Sequence, residues 1–439
     1  MDFNELQIEA KDLNQQGALL LKAGNIEAAR KKFDQAIELD PMVVENYKNY
    51  GDLNMAEEKY QDAKNHYKKA LLIEKSGLLY FLYGNACFMN DNVHEGLENY
   101  NMAISEGYDN EEMMFFMGMA YEHLNDDEMA LRFFQKACVK NPSRADYLIK
   151  KISVLIRLQM LEKAELEIEE LLKIAPEMFD GYHMKTLLLL NQERYEEAAN
   201  FAKQASDKFP EDPELLYDYA KCITMTGNFD LAISLIESAK KMKYYTEAER
   251  MFTMLEAQIY AESKNMEAAI ACCEACIAME KDDDFDGEAR FMLMNLNLVT
   301  ENLELVLKQA VEIVNRDAED LYYYAALYYK AFCMKKLGKE DAMECYKEAN
   351  SIYRLATLEN PGAVDIYLYR AMCMKDMEEY DKAMDILNFI LDLDADVAEI
   401  HTIKAEIYQI QGKVSQSETE LKLAYELKPE LKPNESKGE

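Results

Sequence analysis

The chain has 439 residues, 49% hydrophobic and 30% charged, so it can bury a core and is not a disordered polymer. Its 83 acidic side chains against 49 basic ones give a net charge of −34, which repels phosphate backbones and anionic lipid heads and so disfavours nucleic-acid and membrane-surface partners. No stretch approaches the roughly 18 apolar residues of a membrane span, and the nine cysteines are odd in number without framework spacing, which favours free thiols in a reducing compartment.

The N-terminal MDFNELQIEAKDLNQQ has no basic region followed by an apolar run, so a signal peptide is not expected and the cytoplasm is. A beat then runs along the chain. Gly17, Gly51, Gly84 and Gly118 are spaced by 34, 33 and 34 residues; Pro142, Pro176 and Pro210 by 34; Pro361 and Pro429 by 68. A fixed period near 34 means one supersecondary unit copied end to end, a stack rather than a globule.

Residues 111–144 show the unit most plainly. One helix is expected over 111–124, with Met114, Met117, Gly118 and Tyr121 on one face, and a second over 127–139, with Ala130, Phe134 and Ala137 as the facing stripe. Asn125-Asp126 makes the turn between them, and Asn141-Pro142 stops the second helix.

This pattern resembles the tetratricopeptide repeat (TPR), which places small residues at its eighth, twentieth and twenty-seventh positions, aromatics at the fourth, eleventh and twenty-fourth, and proline at the thirty-second. Residues 10–43 match with Gly17, Ala29, Phe33, Ala36 and Pro41; 44–76 with Tyr47, Gly51, Ala63, Tyr67 and Ala70; 77–110 with Tyr80, Gly84, Tyr100 and Ala103. Residues 179–212 keep Tyr182, Tyr195, Ala198, Ala205 and Pro210, and 398–429 keep Ala405, Tyr408, Gly412, Ala424 and Pro429. The segments between match less well, 287–322 least, and the family's usual tryptophan is absent throughout. The resemblance implies an all-α fold, a right-handed superhelical α-solenoid of about twelve helix-turn-helix repeats. An N-terminal array is expected over 1–249 and a less regular C-terminal array over 250–429, followed by a polar, disordered tail over 430–439. From Pro210 to Pro361 is 151 residues where four periods would take 136. The surplus suggests a seam, with 243–249, 281–288 and the long second helix before Pro361 as its candidate places.

In the TPR family the first helix of each pair lines a concave groove, with positions two, five, nine, twelve and thirteen pointing inward. Those positions here include Leu78, Phe81, Asn85, Phe88 and Met89, then Phe115, Met119 and His123, then Ile149 and Ser153. Further along they include His183, Leu187 and Asn191, then Tyr217, Met225 and Met254. Exposed apolar surface costs roughly 25 cal/mol per Å², so Phe and Met on this face mark a candidate interaction patch, and Asn85, Ser153 and Asn191 are candidates for gripping an extended backbone. Tight curvature that packs neighbouring first helices together would bury the same positions instead. The family's two-carboxylate clamp for chaperone tails is not expected: Lys48 is followed by Asp52 and Leu82 where that clamp needs asparagines. The resemblance implies a non-catalytic scaffold or adaptor for another protein or a peptide. A self-associating scaffold or a peptide-sensing regulator is the alternative.

Motifs that would carry chemistry are weak. Asp282, Asp284, Asp286 and Gly287 match the opening of a calcium loop, but Leu293 stands where its bidentate Glu should be and Arg290 opposes a cation; an acidic inter-repeat loop is the simpler reading. Cys272, Cys273 and Cys276 lack a fourth ligand and a turn, so they read as helix packing rather than a zinc site. The histidines do not pair at metal-ligand spacing, and there is neither a glycine-rich phosphate loop nor a GxSxG. No enzyme, metal or cofactor is expected.

Overall fold

The computed structural model describes residues 3–279, 284–316, 321–393 and 397–432. Among the described residues there are 24 α-helices, one 3-10 turn and no strand. The helices come in sequential pairs: α1 (Phe3–Lys22) with α2 (Ile26–Leu39), α3 (Val44–Ala56) with α4 (Tyr60–Ile73), α5 (Gly77–Met89) with α6 (Val93–Ser105), and α7 (Glu111–His123) with α8 (Asp127–Lys140). Next come α9 (Ala145–Arg157) with α10 (Leu161–Ile174), α11 (Phe179–Asn191) with α12 (Tyr195–Lys208), α13 (Pro213–Met225) with α14 (Phe229–Ala239), and α15 (Tyr245–Glu262) with α16 (Met266–Ala278). The last are α17 (Asp284–Val299) with α18 (Leu303–Arg316), α19 (Tyr323–Lys336) with α20 (Ala342–Glu359), α21 (Val364–Asp376) with α22 (Tyr380–Asp392), and α23 (Ala398–Ile410) with α24 (Val414–Leu427). The odd-numbered member of each pair is its A helix and the even-numbered one its B helix.

Two local devices set the pairs. Side chains cap helix starts: Asn110 Oδ1 accepts the Met113 N–H at 2.8 Å and Asp126 Oδ1 the Met129 N–H at 3.1 Å. Within every pair the A-to-B turn holds one residue with positive φ. These are Gly24, Glu58, Asp91, Asn125, Gln159, Glu193, Gly227, Lys264, Glu301, Gly338, Glu378 and Gly412. Their spacing locates the surplus residues: successive steps from Gly227 through Lys264 and Glu301 to Gly338 are each 37 residues, and the step to Glu378 is 40. The surplus is therefore spread over four pairs rather than gathered in one seam. Much of it lengthens helices, since α15 and α20 each run 18 residues and α17 runs 16.

The chain forms two compact units, Met1–Phe209 and Pro210–Glu439. This division falls upstream of the boundary expected at 249/250. The reason is packing: α15 rests on both α13 and α14, which ties residues 213–239 to the C-terminal unit. Each unit is an α-solenoid in which each B helix before the unit's last, α12 or α24, packs between its own A helix and the next one. At the far end, Pro429–Leu431 forms the 3-10 turn against α24, so the segment expected as tail starts with ordered structure; residues 433–439 lie outside the described ones.

Candidate functional site

The A-helix positions split by depth. Position five inserts between neighbouring elements. Phe81 is only 3% exposed, stacked on Tyr108 at 5.3 Å and tilted against Phe116 of α7 at 6.2 Å. Met254 is likewise buried, packed with Cys276 of α16 and Ala289 of α17. Both were expected on an open groove, and both belong to the core, because the following A helix closes over each, joined at Phe81 by Tyr108 of the loop before it. Phe115 stacks on Tyr147 of α9 at 4.7 Å and is half-buried, as are Ile149, His183 and Tyr217. Tyr217 meets Phe252 edge-on at 5.6 Å, and burial pushes its hydroxyl up to about 12.

Positions two and thirteen stay more open, as position nine does at Leu187. In the N-terminal unit Leu78, Met89 and Leu187 are 39%, 43% and 38% exposed, and Phe88 and Met119 are half-buried. His123 and Asn191 are exposed; His123 Nε2 lies 3.2 Å from Asp91 and its ring meets Phe88 edge-on. In the C-terminal unit Met225 is 40% exposed. Rings link the A helices beneath this face, from Phe88 to Phe116 at 6.4 Å, Phe116 to Phe115 at 6.2 Å, and Phe115 to Tyr147.

Two of the three polar candidates serve the fold. Asn85 Oδ1 accepts the hydroxyl of buried Tyr100 at 2.8 Å, and Ser153 Oγ donates to the Ile149 carbonyl of its own helix at 3.0 Å. Asp52 does for Tyr67, at 2.7 Å, what Asn85 does for Tyr100. Buried tyrosine hydroxyls need partners, so position nine is polar where the B helix fifteen residues on carries Tyr. It is apolar where that residue is Phe: Ala18 precedes Phe33 and Met119 precedes Phe134.

The groove positions named from the sequence omit a cavity of about 690 Å³ on the A helices of the C-terminal unit. Tyr328, Phe332, Lys335 and Lys336 of α19 line it with Lys375 and Asp376 of α21. Asp376 Oδ2 accepts from Tyr328 at 2.9 Å and Tyr346 at 3.0 Å, while Lys375 pairs with Glu406. The signal was available: counting from small Ala331 as position eight places Tyr328, Phe332, Lys335 and Lys336 at positions five, nine, twelve and thirteen.

Of the calcium-loop candidates, Asp282 lies outside the described residues and Asp284 opens α17, so residues from 284 onward are helix rather than loop. Asp286 is 6% exposed and taken by arginines: Arg290 Nε at 2.7 Å, Arg316, and Arg250 at 3.7 Å. Guanidinium groups fill the places a cation would need. Among the described residues no three His, Cys, Asp or Glu side chains cluster as metal ligands. Cys273 and Cys276 are fully buried, and burial raises the Cys273 thiol to about 12. Cys272 is half-buried, its thiol raised to about 11 by burial and by Glu256.

Paired helices with an apolar A-helix face define a helical-repeat protein of the kind that binds other chains. Tetratricopeptide-repeat family models match residues 14–78, 111–138, 189–244, 254–283 and 342–407, together more than half of the chain. The chain belongs to the tetratricopeptide-repeat family, whose members generally mediate protein–protein interactions. It is 29% identical over 157 residues to anaphase-promoting complex subunit 3 of Schizosaccharomyces pombe, covering 34% of this chain and 23% of that one. It is 22% identical over 423 residues to the transcription factor tau 131 kDa subunit of Saccharomyces cerevisiae, covering 88% of this chain and 39% of that one. The chain thus spans well under half of either relative. The crystal structure of yeast Tom70 superposes with a TM-score of 0.50 at 13% identity, covering 96% of this chain and 98% of that one, which shows shared fold. No helix among the described residues is long and apolar enough to cross a membrane.

Proposed function

We propose that the chain is a non-catalytic scaffold whose N-terminal unit seats an apolar segment of another protein along the A helices α5 to α11. The observation that carries this reading is the set Leu78, Met89 and Leu187, large apolar side chains left well exposed on A helices of that unit. Half-buried Phe88 and Met119 fill the face between them. Apolar area removed from water there stabilises a complex by roughly 25 cal/mol per Å², and methionine adapts its shape to the segment it meets. Asn191, exposed at the end of α11, is the side chain that would grip the segment's backbone. Both curated relatives carry the names of subunits, which suits a chain that acts by holding partners.

The test is affinity capture from native lysate with wild type and a Met89→Glu, Met119→Glu, Leu187→Glu variant, after circular dichroism shows both folded. A protein captured by wild type and lost in the variant supports the reading. Equal capture by both overturns it. Light scattering over a dilution series gives the alternative its chance: a concentration-dependent dimer abolished by the same substitutions would make the partner a second copy of this chain.

A further inference from the structure

The B-helix side of the N-terminal unit carries a second surface, independent of the A-helix face. Helices α8 and α10 both pack on α9, and side chains of both border a channel floored by Leu148 and Leu155 of α9. These residues lie on the side of α9 away from Ile149 and Ser153, as the 100° step of a helix requires. The channel holds a cavity of about 530 Å³, and a second of about 370 Å³ adjoins it at Gln135 and Val139. Val139 on one wall is 82% exposed and Leu166 on the other 67%, among the most exposed aliphatic side chains described.

The charge here reverses that of the whole chain. Five cations line the two cavities (Arg132, Lys136, Lys140, Lys151 and Lys163) against two carboxylates, Glu167 and Glu170. In a chain with 83 acidic and 49 basic side chains, that ratio is inverted. The carboxylates are also answered locally, Glu167 by Lys151 at 2.7 Å and Glu170 by Lys173 at 3.5 Å. Arg132, Lys136 and Lys163 make no ion pair among the described residues; Lys136 lies over the Phe133 ring at 4.6 Å, and Lys140 reaches Asp109 at 2.8 Å. The unanswered charge bordering the channel is therefore positive.

We propose that this channel docks an acidic amphipathic helix of a partner protein, its apolar stripe on Val139 and Leu166 and its carboxylates along α8. Charge complementarity selects the acidic edge. The helical form follows from spacing. Arg132, Lys136 and Lys140 recur every four residues, about 6 Å apart along the axis, which is the rise between carboxylates at i, i+4 and i+8 of a helix laid alongside. Seating that edge suppresses partners with a basic one, because like charges would then face each other.

The test is selection of a displayed library of random 16-residue peptides on the full chain. Enriched peptides are then measured by fluorescence anisotropy against wild type and two variants, Val139→Asp with Leu166→Asp, and Arg132→Glu with Lys136→Glu. All altered side chains are exposed, and circular dichroism checks each fold. The expected result is enrichment of peptides with apolar residues at helical spacing and an adjoining row of Asp or Glu. Their affinity should fall at least about tenfold in both variants, weaken with added salt, and stay unchanged in Met119→Glu on the A-helix face. No enrichment, enrichment of basic or uncharged peptides, or binding indifferent to both variants overturns the proposal. Because Met119→Glu reports on the other face, failure here leaves the A-helix reading standing, and the reverse also holds.

Discussion

Gly118 of α7 and Phe134 of α8 approach so closely that no side chain fits between them: a Cβ on Gly118 would stand 2.6 Å from the Phe134 ring. The same contact joins Gly17 to Phe33, Gly51 to Tyr67 and Gly84 to Tyr100. The glycine beat in the sequence is thus the footprint of an aromatic ring pressed against the A helix. Gly118→Ala gains up to about 1 kcal/mol of helix propensity but forces buried Phe134 aside, at a cost of about 1–3 kcal/mol. The expected outcome is a net loss of about 1 kcal/mol in urea unfolding. A stabilised variant would show that the ring yields.

Asn85 and Tyr100 form the polar version of that contact. Asn85→Ala should cost about 1–3 kcal/mol, because it strands a buried hydroxyl. Adding Tyr100→Phe should return most of that loss, since ring and packing remain while the unpaired group goes. A double-mutant cycle on thermal unfolding measures the coupling. Losses that simply add would mean that Asn85 does not serve the tyrosine.

That pairing also shows what the sequence made legible. The repeat count, helix pairing and family were readable because Gly118, Ala130, Phe134 and Ala137 recur as contacts inside one unit. The A-helix face proposed for binding was only partly readable because its exposure depends on neighbouring units. Phe81 looks like a groove residue until Tyr108, twenty-seven residues on, covers it; Met254 lies under Ala289. In the C-terminal unit, lengthened helices shift the count, which hid Tyr328 and Phe332. Phe81→Ala should therefore cost about 3–5 kcal/mol. Met89→Glu, at the other end of the same helix, should stay within about 0.5 kcal/mol of wild type. Equal losses would contradict this division of the face.

The A-to-B turns offer a stabilising substitution. Gln159 holds φ at 56° and Glu193 at 58°, where the equivalent residues of other pairs, Gly24 and Gly227, are glycines. A side chain in that region costs about 1–2 kcal/mol, and glycine gives back about 0.5–1 kcal/mol through the freedom of its unfolded chain. Gln159→Gly should accordingly raise stability by up to about 1 kcal/mol, read as a higher urea midpoint at unchanged slope. A lower midpoint would place the Gln159 side chain in a contact that outweighs backbone strain.

Asp286 ties three helices of the C-terminal unit. Its carboxylate in α17 meets Arg290 of the same helix, Arg316 of α18 and Arg250 of α15. Arg250 in turn donates to the Cys276 carbonyl of α16 at 3.3 Å, and Arg290 to Gln309 of α18 at 3.2 Å. Removing one member of a buried ion pair costs about 3–5 kcal/mol, because the remaining charge loses its partner in a poorly hydrated site. Here three guanidinium groups would face one another. Asp286→Ala should destabilise the C-terminal unit by at least that amount while the N-terminal unit, 1–209, keeps its own transition, so thermal unfolding should separate into two steps. Calcium gives the complementary measurement. A calcium loop at this place would need the Asp286 carboxylate as a ligand, and the arginines hold it, so millimolar calcium should leave the wild-type melting curve where it is. A rise in Tm with calcium, lost in Asp286→Ala, would show that the cation displaces the arginines.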